Sequence, residues 1–161
     1  MTRRALILVV PALAVGLAGQ AFAKPNFTGD WKLNADKSNF GPIPPPTAMT
    51  LNIEHSDPNL KILTKQSGAQ GDMEYEAKYT TDGKESVNKF GEAEAKSVVN
   101  WDGDALVNDT KLSINGNEIT IKSKWTLSED GKVLTNNAHL VSPQGELDMT
   151  QVFEKQEKKT D

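Results

Sequence analysis

The sequence predicts an all-β fold, an up-and-down antiparallel β-barrel of about ten strands. Three observations favour it. Short runs of alternating apolar and polar residues begin at Phe27, as is typical of half-buried strands. Turn pairs such as Asp82-Gly83 and Asp102-Gly103 separate these runs, and glycine supplies the positive φ that tight hairpins need. The turns recur every roughly 10 to 16 residues, which leaves no room for crossover helices between strands.

The alternation defines about ten strands joined in chain order. A sheet of that size tends to curl, and closure removes the exposed edges that would otherwise pair with other chains. A two-sheet sandwich is the alternative arrangement. The predicted strands are 27–33, 47–55, 60–66, 73–80, 86–90, 95–101, 105–114, 117–127, 132–141 and 146–154.

Residues 1–23 have the pattern of a secretory signal peptide. Arg3 and Arg4 precede an apolar run, and Ala21-Phe22-Ala23 is a small-x-small cleavage sequence. We therefore expect residues 24–154 to form the barrel domain and residues 155–161 to form a solvated C-terminal tail. The expected mature protein is exported and soluble, in the periplasm or outside the cell.

The composition excludes several classes of partner. The chain has no cysteine, so disulfides, thiolate metal sites and a lipidated cysteine anchor are excluded. The formal net charge is −4, and both arginines lie in the leader, so the barrel has an acidic surface without arginine. Nucleic acid and anionic membranes are recognised by basic patches. We expect no nucleic-acid partner, no stable membrane insertion, and a monomer.

Two end segments, FTGDWKL (27–33) and MTQVFEKQ (149–156), resemble the first and last strands of the calycin superfamily. The chain is similar to the secreted bacterial lipocalin-like domains and, more distantly, to the fatty-acid-binding proteins. The resemblance implies a barrel that holds a small ligand in its lumen. In lipocalins an arginine of the last strand covers the tryptophan of the Gly-x-Trp motif. Lys155 is the nearest substitute for that arginine over Trp31.

The resemblance also bears on the ligand. Fatty-acid-binding proteins grip a ligand carboxylate with an inward Arg-x-Tyr pair, and the matching positions here are Gln151 and Phe153. A buried carboxylate without a charged partner is costly, so a neutral ligand is implied. Segment 36–46 is too short and too rich in proline to form the helix pair that covers the lumen of those proteins.

The two-residue side-chain period assigns an inward face to each strand, and this face contains the candidate ligand-binding residues. Ala77, Thr110 and Ser123 are small or polar at strand centres, which favours a hollow over a packed interior. We expect a neutral, largely apolar small molecule that stacks on aromatic rings and hydrogen-bonds an amide. The predicted site comprises Tyr75, Tyr79, Trp101, Trp125, Asn136, Gln151 and Phe153.

A filled barrel is the alternative. Its polar inward residues would hydrogen-bond one another or a few ordered waters. The protein would then act through its outer surface, as a protein-interaction or inhibitor module.

The sequence contains no recognisable catalytic constellation, so we expect neither an enzyme nor catalytic residues. Its two histidines, His55 and His139, lie in unrelated settings. His55 is expected to be a solvated residue at the barrel rim, and haem binding through it is a minor alternative. Acidic turns such as Asp102-Gly103-Asp104 lack the ligand count of a calcium loop. We therefore expect no metal and no other cofactor.

Overall fold

The computed structural model describes residues 23–69, 71–114 and 116–157, and these form ten antiparallel strands with one turn of 3-10 helix. The predicted fold class is confirmed, and no strand end differs from its predicted position by more than two residues. Among the described residues, no helix is long and apolar enough to cross a bilayer. The strands are β1 (Gly29–Leu33), β2 (Ala48–Ser56), β3 (Asn59–Gly68), β4 (Gly71–Thr80), β5 (Glu85–Phe90), β6 (Ala93–Asp102), β7 (Ala105–Ile114), β8 (Asn117–Leu127), β9 (Val133–Ser142) and β10 (Gly145–Gln156).

The sheet is an up-and-down meander that β1 closes by pairing with both β2 and β10. The strand order is β4-β3-β2-β1-β10-β9-β8-β7-β6-β5, so β4 and β5 are its two edges. Side chains join these edges at the β4–β5 seam. The Asn88 amide accepts from Lys78 N at 2.8 Å and donates to Lys78 O at 3.0 Å, and Ser86 Oγ accepts from Thr80 N at 3.2 Å. The buried Asn88 side chain thus stands in for a backbone partner and leaves a nearly closed barrel.

Replacing Asn88 by aspartate tests this role. Aspartate cannot donate to Lys78 O and places a charged oxygen beside that carbonyl. We expect the free energy of unfolding in urea to fall by about 1–3 kcal/mol, the cost of an unsatisfied buried polar group. Val87→Asp is the matched control, because Val87 is an exposed neighbour on the same strand. Equal stability of the two variants would contradict the role assigned to Asn88.

A proline strap, residues 34–47, fills the space between β10 and β2 where the short strand β1 ends. Asn39 forms a β-bridge with Thr150 of β10, and Thr47 N donates to Ser67 O at 2.9 Å. Gly41 has a φ of +59°, and a Cβ at this position would lie 2.7 Å from Leu147 Cδ1. The described strap contains one turn of 3-10 helix, Ala35–Lys37, and packs closely against β10.

Inward side chains are packed at one end of the barrel, which we call the packed half. This half holds Trp31 and the turns that join β2 to β3, β4 to β5, β6 to β7 and β8 to β9. Large apolar residues from seven of the ten strands pack together there. The core consists of Phe27, Trp31, Met49, Leu51, Ile53, Leu60, Ile62, Val99, Leu106, Leu134 and Phe153.

At the other end, which we call the open half, apolar side chains on the inward register keep contact with solvent. Met73 is 41% exposed and Ile114 is 39% exposed. A ring of ten strands is wider than the eight-stranded ring that side chains can just fill, so one end stays hollow unless bulky residues plug it. Partly buried inward residues of this half are Leu112, Ile119, Ile121, Leu140, Leu147 and Met149.

Candidate ligand-binding site

Trp31 closes the packed end of the barrel. Its ring is fully buried, and its indole N–H donates to the Phe27 carbonyl at 3.0 Å. Lys155 Nζ lies 5.3 Å from the ring centroid, so the predicted substitution of lysine for the lipocalin arginine is confirmed. Gly29 makes room for this contact: its φ is +151°, and a Cβ there would lie 2.7 Å from Lys155 Cε. Lys155 belongs to β10, which extends to Gln156, two residues past the expected domain boundary.

His55 lies beside this plug and is buried. Its ring centroid is 5.9 Å from those of Phe27 and Trp101, and its side chain is 2% exposed. Nδ1 accepts from Phe27 N at 3.3 Å. Nε2 lies 3.7 Å from Asp57 Oδ1 and has no hydrogen-bond partner among the described residues. The prediction of a solvated rim histidine is wrong, because rings from two distant parts of the chain cover the imidazole.

The His55 and Asp57 side chains titrate in response to different surroundings. Burial lowers the pKa of His55, because desolvation disfavours the imidazolium, and the Asp57 carboxylate opposes part of this shift. Hydrogen bonds from the Thr81 hydroxyl and the Trp101 indole lower the pKa of Asp57. A neutral imidazole therefore faces a carboxylate that is favoured in its charged form.

This burial predicts a pH dependence of stability. The unfolded chain protonates His55 more readily than the folded chain, so the stabilisation by neutral His55 is present above a pH of about 6.5 and is lost as the pH falls below it. We expect the urea midpoint of the wild type to fall between pH ~7.5 and ~5.5 by more than that of His55→Gln. His139→Gln, on the outer face beside Asp148, retains His55 and is the control, so its midpoint should fall by at least as much as that of the wild type. Equal losses in wild type and His55→Gln would contradict the assignment.

Four of the predicted ligand-binding residues lie in the packed half. Phe153 is 1% exposed, and Tyr79, Trp101 and Trp125 are partly buried against the same core. Burial raises the pKa of Tyr79 to about 12. Trp101 also donates to Asp57 at 3.0 Å, which holds its ring at the closed end.

The other three predicted residues, Tyr75, Asn136 and Gln151, lie at the border of the open half. The Tyr75 ring packs edge-on against Phe90 across the β4–β5 seam, at a centroid distance of 5.1 Å. Asn136 and Gln151 are direct partners on β9 and β10, and Asn136 Nδ2 donates to Gln151 Oε1 at 3.0 Å. The structure thus brings these two amides together and places Tyr75 on β4, outside that hairpin.

Part of the polar interior is satisfied internally, as the filled-barrel alternative expects. Ser97 Oγ and Thr110 Oγ1 are 2.7 Å apart, and Thr110 also donates to Asn108 at 3.1 Å. The Asn136–Gln151 pair satisfies only part of its hydrogen-bonding capacity. Asn136 is 8% exposed, and its Oδ1 has no partner among the described residues.

The inward register carries almost no charge. Among its described strand positions Lys155 is the one formally charged residue, and it lies at the closed end over Trp31. The lining of the open half is mostly aliphatic. The alternation pattern places these aliphatic residues on the inward face, but the predicted site did not include them. These residues could have been predicted from their place in the sequence. They lie on the inward face, in the halves of the strands that are farther from Trp31.

The outer face carries a separate depression of about 540 Å³ across β7 to β10. Outward side chains flank it, among them Lys122, Lys124 and His139. His139 Nδ1 lies 2.7 Å from Asp148 Oδ1. A polar surface of this kind is what a barrel acting through its exterior would use.

No protein-family model matches the chain, and no curated protein sequence matches it. Solved structures do. Zebrafish ileal bile-acid-binding protein complexed with cholic acid is 16% identical, with a TM-score of 0.55 over 81% of this chain and 98% of that one. A secretory abundant heat soluble (SAHS) protein from Ramazzottius varieornatus is 13% identical, with a TM-score of 0.57 over 80% and 94%. Human cRBP IV is 19% identical, with a TM-score of 0.55 over 82% and 99%.

At these identities the likeness shows the fold alone, and it agrees with the ten-stranded barrel geometry. The resemblance inferred from the two end segments is confirmed at that level. The chain forms a calycin-like barrel with distant structural similarity to the fatty-acid-binding proteins.

Proposed function

We propose that this barrel binds a neutral, largely apolar small molecule inside its open half. One observation carries the proposal: apolar side chains on the inward face, such as Met73 and Ile114, remain in contact with solvent. An apolar guest that displaces this water gains the free energy of burying both surfaces.

The proposed site combines residues from several strands. Tyr75, Asn136 and Gln151 contact the ligand at the inner limit of the open half. The packed half, with Tyr79, Trp101, Trp125 and Phe153, forms the floor beneath it. The aliphatic wall is supplied by Ile119, Ile121, Leu140 and Leu147.

Neutrality follows from the charges of the inner wall. A carboxylate in the open half would have no cation on the described inward strand positions, since Lys155 lies over Trp31. Leaving an ion buried without a partner costs several kcal/mol. The similar zebrafish protein is complexed with cholic acid, which supports binding of a largely apolar molecule in a barrel of this shape.

Export of the protein is part of the proposal. It rests on the signal-peptide pattern, of which residues 1–22 lie outside the described residues. The intact mass of the protein isolated from its own host tests it. A chain beginning at Lys24 is expected, and a chain that retains the leader would contradict export.

Binding can be tested with Nile red, a neutral apolar dye, and a pair of neighbouring substitutions on β9. Leu140→Glu places a carboxylate in the open half, so we expect the dye to bind at least about tenfold more weakly than to wild type. Val141→Glu introduces the same charge on the outward face, where the side chain is 38% exposed. This control should bind the dye as wild type does, with the same far-UV circular dichroism.

Two results would contradict the proposal. One is a wild-type barrel that does not bind the dye, and the other is equal weakening by both variants. A barrel that binds no dye but co-purifies with another protein would instead support action through the outer surface.

A further inference from the structure

The Asn136–Gln151 pair has hydrogen-bonding capacity that the protein itself does not use. Asn136 Nδ2 donates to Gln151 Oε1, which occupies one donor and one acceptor. The remaining acceptor, Asn136 Oδ1, is buried without a partner among the described residues. The Gln151 Nε2 group, which carries two N–H donors, approaches only the thioether sulfur of Met49, at 3.9 Å, and a thioether is a weak acceptor. The pair therefore offers one strong acceptor and one nearly free donor.

The pair also lies at the depth where the interior changes character. Along the β9–β10 hairpin, Leu134 faces Phe153 in the packed half, and the next inward pair is Asn136 and Gln151. Beyond it the inward pairs are Ala138 with Met149 and Leu140 with Leu147, all apolar. Leu140 lies four residues beyond Asn136, which is about 14 Å along a strand. A ligand would meet an apolar wall over that length and the two amides at its inner end.

We infer that the ligand is an alcohol bound with its hydroxyl group innermost, accepting from Gln151 Nε2 and donating to Asn136 Oδ1. This inference rests on the proposed function and names the polar group of its ligand. A hydroxyl both donates and accepts, so it satisfies both free groups. An ionised carboxylate only accepts and would face the Asn136 oxygen without a cation. An ester or a ketone only accepts, and it leaves that oxygen buried without a partner. A hydrocarbon satisfies neither group.

The test compares probes that share one chain length. Wild-type protein is saturated with Nile red and titrated at pH ~8 with 1-dodecanol, dodecanoate, or methyl dodecanoate. We expect dodecanol to displace the dye at concentrations about tenfold or more below those of the other two, because only the alcohol donates to Asn136 Oδ1. Dodecanoate is further weakened because its charge is buried without a cation.

Substitutions assign the preference to the pair. Gln151→Met and Asn136→Leu keep similar side-chain volumes. Asn136→Leu removes the acceptor that only the alcohol satisfies, so it should bring dodecanol and methyl dodecanoate to within about threefold of each other. Gln151→Met removes the donor that all three probes use, so it should weaken the binding of all three. Two variants are used because one of them could fail to fold. Thr150→Val is the matched control, because Thr150 lies next to Gln151 on β10 and bonds outward to Asn137. It should keep the preference of wild type.

The outcomes separate this inference from the proposed function. Nile red binding with no preference for dodecanol, a preference over methyl dodecanoate that survives Asn136→Leu, or binding of all three probes that is unchanged in Gln151→Met overturns the inference and leaves the proposed function standing. A barrel that does not bind Nile red overturns both.

Discussion

The rest of the structure depends on Trp31, whose fully buried ring fills the interior at one end of the barrel. A barrel of ten strands encloses more space than its inward side chains can fill. The interior is therefore fully packed only where large aromatic side chains meet. Trp31 provides that convergence: its indole bonds to the Phe27 carbonyl, and Lys155 lies over its face. Gly29 leaves space for the lysine stem. Large apolar side chains pack around this plug, and the described residues at the other end of the barrel form no equivalent plug. The difference between the packed half and the open half therefore follows from the residues at the start of β1.

Two irregular features complete the ring without regular pairing. The β4–β5 seam is held by the side chains of Asn88 and Ser86, which take the place of backbone partners. The proline strap takes the place of β1 beside β10, and it reaches Leu147 in the open half through Gly41. Both features spare the barrel an exposed edge. Both also leave the open half with walls of side chains and a short strap, and the described strap residues form no α-helix over it.

The strands could be predicted because the alternation and the Gly-containing turns are local signals, and the sheet follows them in chain order. The side-chain period of two also predicts which residues face inward, and it places Asn136 and Gln151 among them. The burial of His55 could not be predicted, because it depends on Phe27 and Trp101 meeting above a residue that sits at a strand end. Nor could the sequence show that Trp101 lies at the closed end and bonds Asp57, since a period of two gives a face and no depth. Some inward residues line a cavity and others fill the core. The difference depends on how all ten strands pack together, so a single strand's sequence does not show it.

Native mass spectrometry of the protein isolated from its own host tests most directly whether the open half binds a small molecule. A complex heavier than the bare chain by one small molecule is expected, with the same charge states and with the added mass released on denaturation. In Leu140→Glu prepared in the same way, the added mass should be absent. A bare chain in every preparation, or equal retention by Leu140→Glu, would contradict the claim.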